Sequence, residues 1–325
     1  MRFAVSPEQR QFAASLHELL AGADTPAAVR AWAEGRHEPG LKLLRSLADL
    51  GLPALLVDER YDGLGADATD MVVAFEVLGY HAVPGPLVES IVVAPTALGG
   101  PPGEQWLPSL AAGEILATVL APPEVPLALD ADIAAVVLSV TGGVREIRDR
   151  EIEFVRSIDP ARRLFRIQGA AVPLAADPGH SFDLGVLAVA AQLLGAGRWL
   201  LESATAYAKQ RSQYGRLIGQ YQAIKHLLAD AVTHLELARP LVHGAAVAAR
   251  EGAGTFSRDC SAAKVKAGEA AYLAARTALQ VHGAIGYTAE HDLGLRLTKV
   301  RALAGAWGGA AFHRNRVLTA LAGAR

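Results

Sequence analysis

The stretch "RSQYGRLIGQYQAIKHLLAD", residues 211–230, places two arginines, three glutamines and two tyrosines in a glycine-bent segment that runs on into an apolar helical pattern. Arg211 offers a planar donor fork suited to a phosphate. Gln213, Gln220 and Gln222 supply donors and acceptors for a ribose or a base, and Tyr214 presents a face on which a ring can stack. Gly215 and Gly219 let the backbone turn before the next helix begins. Taken alone, the stretch reads equally as a polar loop between two helices and as a nucleotide-holding elbow.

A second stretch, "LQVHGAIGYTAEHDLGLRLTKVRAL", residues 279–303, lies about seventy residues further on. A helical pattern ends at Gln280 to His282. Gly283 and Gly286 then form a tight turn whose backbone is open to a phosphate. Ala284 lies between them, Tyr287 and Thr288 follow, and another helix is expected near Glu290. The simpler reading of such glycines is a helix C-cap.

The surroundings restrict both readings. The chain has 325 residues, 51% of them hydrophobic and 20% charged, with a net charge of −2. That composition suits a soluble globular protein of two or three domains and gives no basic block for nucleic acid. One cysteine, Cys260, excludes an intrachain disulfide and reads as a helix-packing residue in a reducing cytoplasm. The longest apolar run, residues 184–197, is shorter than the about 20 residues of a membrane span and reads as a buried core helix. Its "GAGRW", beginning at Gly195, follows no strand, so close helix packing explains it better than a dinucleotide fingerprint. His226 and His234 stand eight residues apart, and His282, His291 and His313 have no ligand spacing, so no metal site is expected.

Along the chain the hydrophobic period changes twice. Residues 6–110 read as helices, opened by Ser6 as N-cap and Pro7 at the first helical position. Leu43, Leu44 and Leu47 repeat at helical spacing up to Gly51, and Asp67 or Thr69 can cap a helix carrying Met71 to Leu78. From about residue 114, "ILATVL", "IAAVVLSV", "REIRD", "EIEFVR" and "RLFRIQG" are short β-type runs separated by Pro, Gly and Asp. From residue 181 helices return, over 182–211, 218–251, 257–282 and 291–303, with one more after Gly309. The expected class is α+β, mainly α: an N-terminal helical domain (1–113), a reduced β-domain (114–178) and a C-terminal antiparallel four-helix bundle (179–325).

The two polar stretches together, in a bundle that follows a β-domain, resemble the acyl-CoA dehydrogenase family. "GLPALLVDERYDGLGADATDMVVAFEVLGY" is similar to that family's N-terminal signature, a Gly-Leu-Gly turn before a helix here carrying Glu76, and "SIDPARRLFRIQGAAVPL" to the strand closing its β-domain. The resemblance covers nearly the whole chain and implies an FAD-dependent oxidoreductase. It also implies that the bundle stretches bind the adenosine-pyrophosphate half of a neighbouring subunit's FAD. Arg211 and Gln213 would meet the pyrophosphate, Tyr214 and Gln222 would border the nucleotide, and Gln280 and Gly283 would form a second clamp. Ala284 stands where a glycine is usual.

The resemblance also sets two positions for the glutamate that removes the substrate's α-proton. Here they hold Trp307 and Gly185, the latter followed by Val186, and no acid lies between Lys299 and Arg325. Asp183 and Glu290 are nearby acids that read as an N-cap and a helix-start residue. The family's flavin-ring elements are not recognisable in "ILATVLAPPEVPLALDADIAAVV". A chain with cofactor clamps and no base resembles the base-lacking subunit of heteromeric α2β2 actinobacterial acyl-CoA dehydrogenases. That resemblance implies a glutamate-bearing partner subunit that binds most of the acyl-CoA, with a steroid side-chain CoA ester as a candidate substrate. It further implies reoxidation by an electron-transfer flavoprotein, a cytoplasmic location, and neither nucleic acid nor membrane as partner. The competing readings are a homomeric flavoenzyme with another base or chemistry, and a non-enzymatic scaffold.

Overall fold

The computed structural model describes residues 5–288 and 291–323. The N-terminal region is helical: α1 (Pro7–Gly22), α2 (Thr25–Ala33), α3 (Glu38–Asp49), α4 (Ala68–Tyr80), α5 (Ala94–Ala97) and α6 (Gly100–Ala111). Ser6 caps α1 in a reciprocal box: its hydroxyl accepts from the Gln9 N–H at 3.2 Å, and the Gln9 side chain accepts from the Ser6 N–H at 2.9 Å. Asp67 and Asp70 form the equivalent box at α4. Immediately before α5 the chain makes a π-helical turn, Glu89–Val93.

Five strands follow: β1 (Ala117–Leu120), β2 (Ala128–Leu129), β3 (Val136–Ser139), β4 (Arg145–Val155) and β5 (Leu164–Pro173). They form one sheet in the order β1-β3-β4-β5-β2, with β1 parallel to β3 and the other pairs antiparallel. "REIRD" and "EIEFVR" are one strand rather than two. A bulge between Arg148 and Glu151 shifts the register, with Asp149 at φ 47°, and this breaks the alternation the eye reads in sequence. β2 has only two residues, too few to carry a period.

The bundle comprises α7 (Ser181–Gln210), α8 (Gln222–Arg250), α9 (Phe256–His282), α10 (Leu293–Gly305) and α11 (Ala310–Gly323). α7 is its axis, packed against α4, α8 and α9. By length and composition α7 could cross a bilayer, but 78% of its most apolar window is buried in the protein. Leu187, Val189, Leu193 and Leu200 are wholly buried, each contributing roughly 1.5–3 kcal/mol by removal from water. The small residues of "GAGRW" serve close packing: a Cβ on Gly195 would lie 1.8 Å from the Glu76 carbonyl oxygen, so α4 and α7 touch backbone to backbone. Cys260 is buried and donates to the Asp183 carbonyl at 3.1 Å, and burial pushes its thiol pKa up.

Three local expectations are corrected. α8 begins at Gln222, because Ile218–Gln220 tightens into a 3₁₀ turn first. Asp183 is not a cap: His180 holds the N-cap position, while Asp183 lies buried in the first turn and pairs with Arg316 at 2.7 Å. α10 starts at Leu293, and Glu290 lies outside the described residues.

Candidate functional site

The candidate residues separate to the two ends of α7. At its C-terminal end, Arg211 occupies the C-cap position, and a two-stranded ribbon pairs Ser212–Gln213 with Arg216–Leu217. Tyr214 and Gly215 turn this ribbon with φ of 52° and 79°. A twisted two-residue hairpin loop requires two such positive φ values. The turn leaves the Tyr214 ring 94% exposed. Tyr221 braces the elbow from behind: its hydroxyl donates to the Gln213 carbonyl at 3.1 Å, and the Arg216 guanidinium sits 4.0 Å from its ring centre. Gln213, Gln220 and Gln222 are exposed, and the Gln222 amide meets His226 at 3.2 Å.

The second stretch arrives at the same end. α9 stops at His282, and Gly283, at φ 64°, leads into a 3₁₀ turn through Tyr287. The Tyr207 ring, one turn before Arg211, stacks on His282 with centroids 4.5 Å apart. That stack is the physical link between the two segments. Gln280, Gly283 and Ala284 are all exposed, as is Tyr287 at 78%.

These residues fit a phosphate-bearing cofactor. The Arg211 guanidinium is exposed and, among the described residues, has no hydrogen bond or ion pair with the rest of the chain. A solvated cation beside exposed amides and an outward aromatic face is chemically suited to an anion with an attached ring.

The opposite end of α7 holds the two family base positions, and the fold brings them into contact. A Cβ on Gly185 would lie 2.9 Å from the Trp307 ring. Trp307 is 1% exposed, with φ 57°, in the turn between α10 and α11. Its carbonyl accepts from His313 at 2.9 Å, and its ring packs 5.6 Å from Phe182. The buried Lys264 ammonium donates to the Leu303 and Ala304 carbonyls, which fixes the last turn of α10. Burial lowers that lysine's pKa to about 7. So the indole occupies the space that a base at either position would use, and the bare Gly185 backbone makes room for it.

Beside Trp307 a cleft of about 720 Å³ opens between the β-domain and α10–α11. Its lining includes Glu89, Glu124, Leu127, Arg162, Arg301 and Trp307. This volume lies in the range of small-molecule sites. Sequence reading missed Glu89 and Arg162. A lone acid inside the apolar "LVESIVV" was the available signal, since a carboxylate is rarely buried without a reason. Glu76 has such a reason: it is buried against His243 at 2.9 Å.

The clamps and the cleft are far apart. From Gly185 to Gln210 α7 advances about 40 Å at 1.5 Å per residue. The elbow of one chain is therefore remote from that chain's own cleft.

Comparison with known proteins agrees with this architecture. The family described as acyl-CoA dehydrogenase, N-terminal domain, matches residues 6–114, and the one described as acyl-CoA dehydrogenase, C-terminal domain, matches residues 179–322. The chain is 33% identical to the acyl-CoA dehydrogenase IpdE2 of Mycobacterium tuberculosis, over 89% of this chain and 90% of that one. Among solved structures, the ChsE4-ChsE5 complex from Mycobacterium tuberculosis superimposes with a TM-score of 0.84 at 22% identity, covering 99% of each chain. A Tcur3481-Tcur3483 steroid ACAD variant superimposes with a TM-score of 0.88 at 21% identity, again over 99% of each. At these identities the two structures attest the fold.

Proposed function

The chain belongs to the acyl-CoA dehydrogenase family, an FAD-dependent class of oxidoreductases, and on that premise we propose that it is one subunit of a two-chain enzyme. In this reading it holds the adenosine-pyrophosphate end of FAD for a glutamate-bearing partner. The observation that carries the reading is the separation along α7. The clamp residues are exposed to solvent at one end, with the Arg211 guanidinium unpaired among the described residues, and at the other Trp307 and Gly185 stand at both expected base positions.

Each residue then has a physical task. Arg211 neutralises pyrophosphate charge, with Gln213 beside it. Tyr214 and Gln222 border the nucleotide. The Gly283 turn offers backbone with no side chain in the way, and Gln280 adds an amide. Bound FAD supplies the hydride acceptor for α,β-dehydrogenation of the acyl-CoA. The partner supplies the base and most of the acyl-CoA contacts, and an electron-transfer flavoprotein takes the electrons on.

The exposed apolar side chains suit burial against such a partner. Leu237 and Leu241 on α8, Tyr272 on α9, and Ile285 and Tyr287 at the clamp are all large and solvent-facing. The kinship with IpdE2, together with a solved steroid ACAD of the same fold, supports a bulky, steroid-type CoA ester as the substrate class.

The test is flavin stoichiometry. The chain purified alone should carry little flavin by visible absorbance, and its complex with a co-expressed glutamate-bearing homologue should carry it stoichiometrically. Stoichiometric flavin on the chain alone would overturn the shared-site reading in favour of a homomeric flavoenzyme.

A further inference from the structure

The cleft beside Trp307 holds a carboxyl at neither family position. Glu89 is 2% exposed. Its Oε1 accepts from the Trp307 indole N–H at 3.3 Å. Its Oε2 is buried and has no hydrogen-bond partner, and Glu89 is one of the residues lining the cleft. An ionisable oxygen in that position is costly unless a ligand meets it.

Two further features point to the same place. Glu89 opens the π-helical turn, a rare geometry that recurs at functional sites. Trp307, its partner, is a bulky residue in the left-handed region, which costs backbone energy and persists where the surroundings enforce it. Arg162, also in the lining, is half-buried, and among the described residues its guanidinium has no hydrogen bond or ion pair. The cleft is thus lined by a buried carboxyl side chain and an arginine, beside apolar walls that include Val125, Leu127 and Leu129.

We infer that Glu89 is an acid–base residue of this chain's own cleft, acting on the carbon next to the carbonyl of an acyl thioester, with Arg162 facing the carbonyl oxygen. The C–H bond breaks as the O–H bond forms at Oε2. The electron pair moves to the carbonyl oxygen, where the Arg162 charge stabilises it. Return of a solvent proton to the carbon reverses the step. Trp307 is the positioning residue, holding Oε1 so that Oε2 is the oxygen presented. The assembly would then contain two unlike proton-transfer sites, the partner's and this one. The inference is independent of the cofactor clamp, which lies at the other end of α7.

Burial pushes the Glu89 carboxyl above its usual range, while the Arg162 charge, then Glu89's own backbone N–H and then the Trp307 indole oppose that rise. The other charged groups about it are Asp130 in the β-domain, Glu124 after β1 and Arg301 on α10. A base acts when deprotonated, so its rate should climb with pH through a limb above the ordinary carboxyl range.

The probe is phenylacetyl-CoA in D2O. Its α-carbon carries exchangeable hydrogens, but it has no β-hydrogen, so it reports proton transfer without dehydrogenation. Exchange is read by mass, on the full chain or on the complex in which it is recovered. Exchange above buffer is expected, falling about 100-fold in Glu89→Gln. In Trp307→Phe the pH limb should move upward, because the donor that stabilises the carboxylate is gone. Exchange should not scale with flavin content from one preparation to the next, which separates this inference from the shared-cofactor reading. No exchange above buffer, equal exchange in wild type and Glu89→Gln, or an unmoved limb in Trp307→Phe would each overturn it. The Trp307→Phe limb also serves if Glu89→Gln does not fold.

Discussion

The two ends of α7 contrast in almost every physical respect. At the C-terminal end, Arg211, Gln213 and Tyr214 are exposed on a short ribbon, held by little more than the Tyr221 brace and the Tyr207–His282 stack. At the N-terminal end, Trp307, Glu89 and His313 are buried and joined by hydrogen bonds. The first end can lose a side chain and keep its fold. The second loses stability when a side chain is removed, because each group there also holds a neighbour. A surface waiting for a partner's ligand and a packed interior thus require different experiments.

The contrast is sharpest at Trp307. Trp307→Ala should cost roughly 3–5 kcal/mol of unfolding free energy, as for other buried aromatic truncations. The indole fills the space beside Gly185 and donates to one of the two Glu89 oxygens. Denaturant titration measures this, and a loss below about 1 kcal/mol would mean the plug is not packed as described. At the other end Arg211→Ala should leave unfolding unchanged but weaken the complex's hold on flavin. A charge-assisted contact is worth about 1.5–3 kcal/mol, roughly 10- to 150-fold in affinity. Flavin content after dialysis checks it, and a destabilised fold with normal flavin would invert the comparison.

A pH effect belongs to the buried end alone. Burial first, and the Lys264 charge next, lower the His313 pKa from 6.5 to about 4. Between those values the unfolded chain binds a proton that the folded chain does not. His313 therefore costs no stability above about pH 6.5, and stability falls as pH drops from there towards 4. His313→Gln should flatten that part of a stability–pH curve. The smallest effect is expected at Tyr214→Ala. Unfolding should shift by no more than about 0.5 kcal/mol, since a ring exposed to 94% packs on nothing within the chain, and only flavin retention should decline.

Much of the fold was legible because its signals are local. Ser6 and Asp67 announced helix starts that form as expected, since a cap needs only residues three apart. The change from helical to alternating period located the sheet. The errors arose where local rules compete. The bulge at Asp149 hid one long strand as two, and a 3₁₀ turn delayed α8 to Gln222. Asp183 looked like a cap but is held inside the helix by Arg316, which lies 133 positions further along the chain. The elbow could be read for the same local reason: its polar residues are consecutive.

The sequence by itself determined the helical, β and helical order, the kinship and the absence of an acid at two expected positions. These depend on residue type, spacing and period, all short-range properties of a chain. Only the tertiary structure brought Gly185, Trp307 and Glu89 together, from positions 185, 307 and 89, and separated them from Arg211 by the length of α7. The physical reason is packing. A missing Cβ on one helix admits an indole from a distant turn, and that indole orients a carboxyl from the N-terminal domain, so the site exists only once the domains have closed on each other.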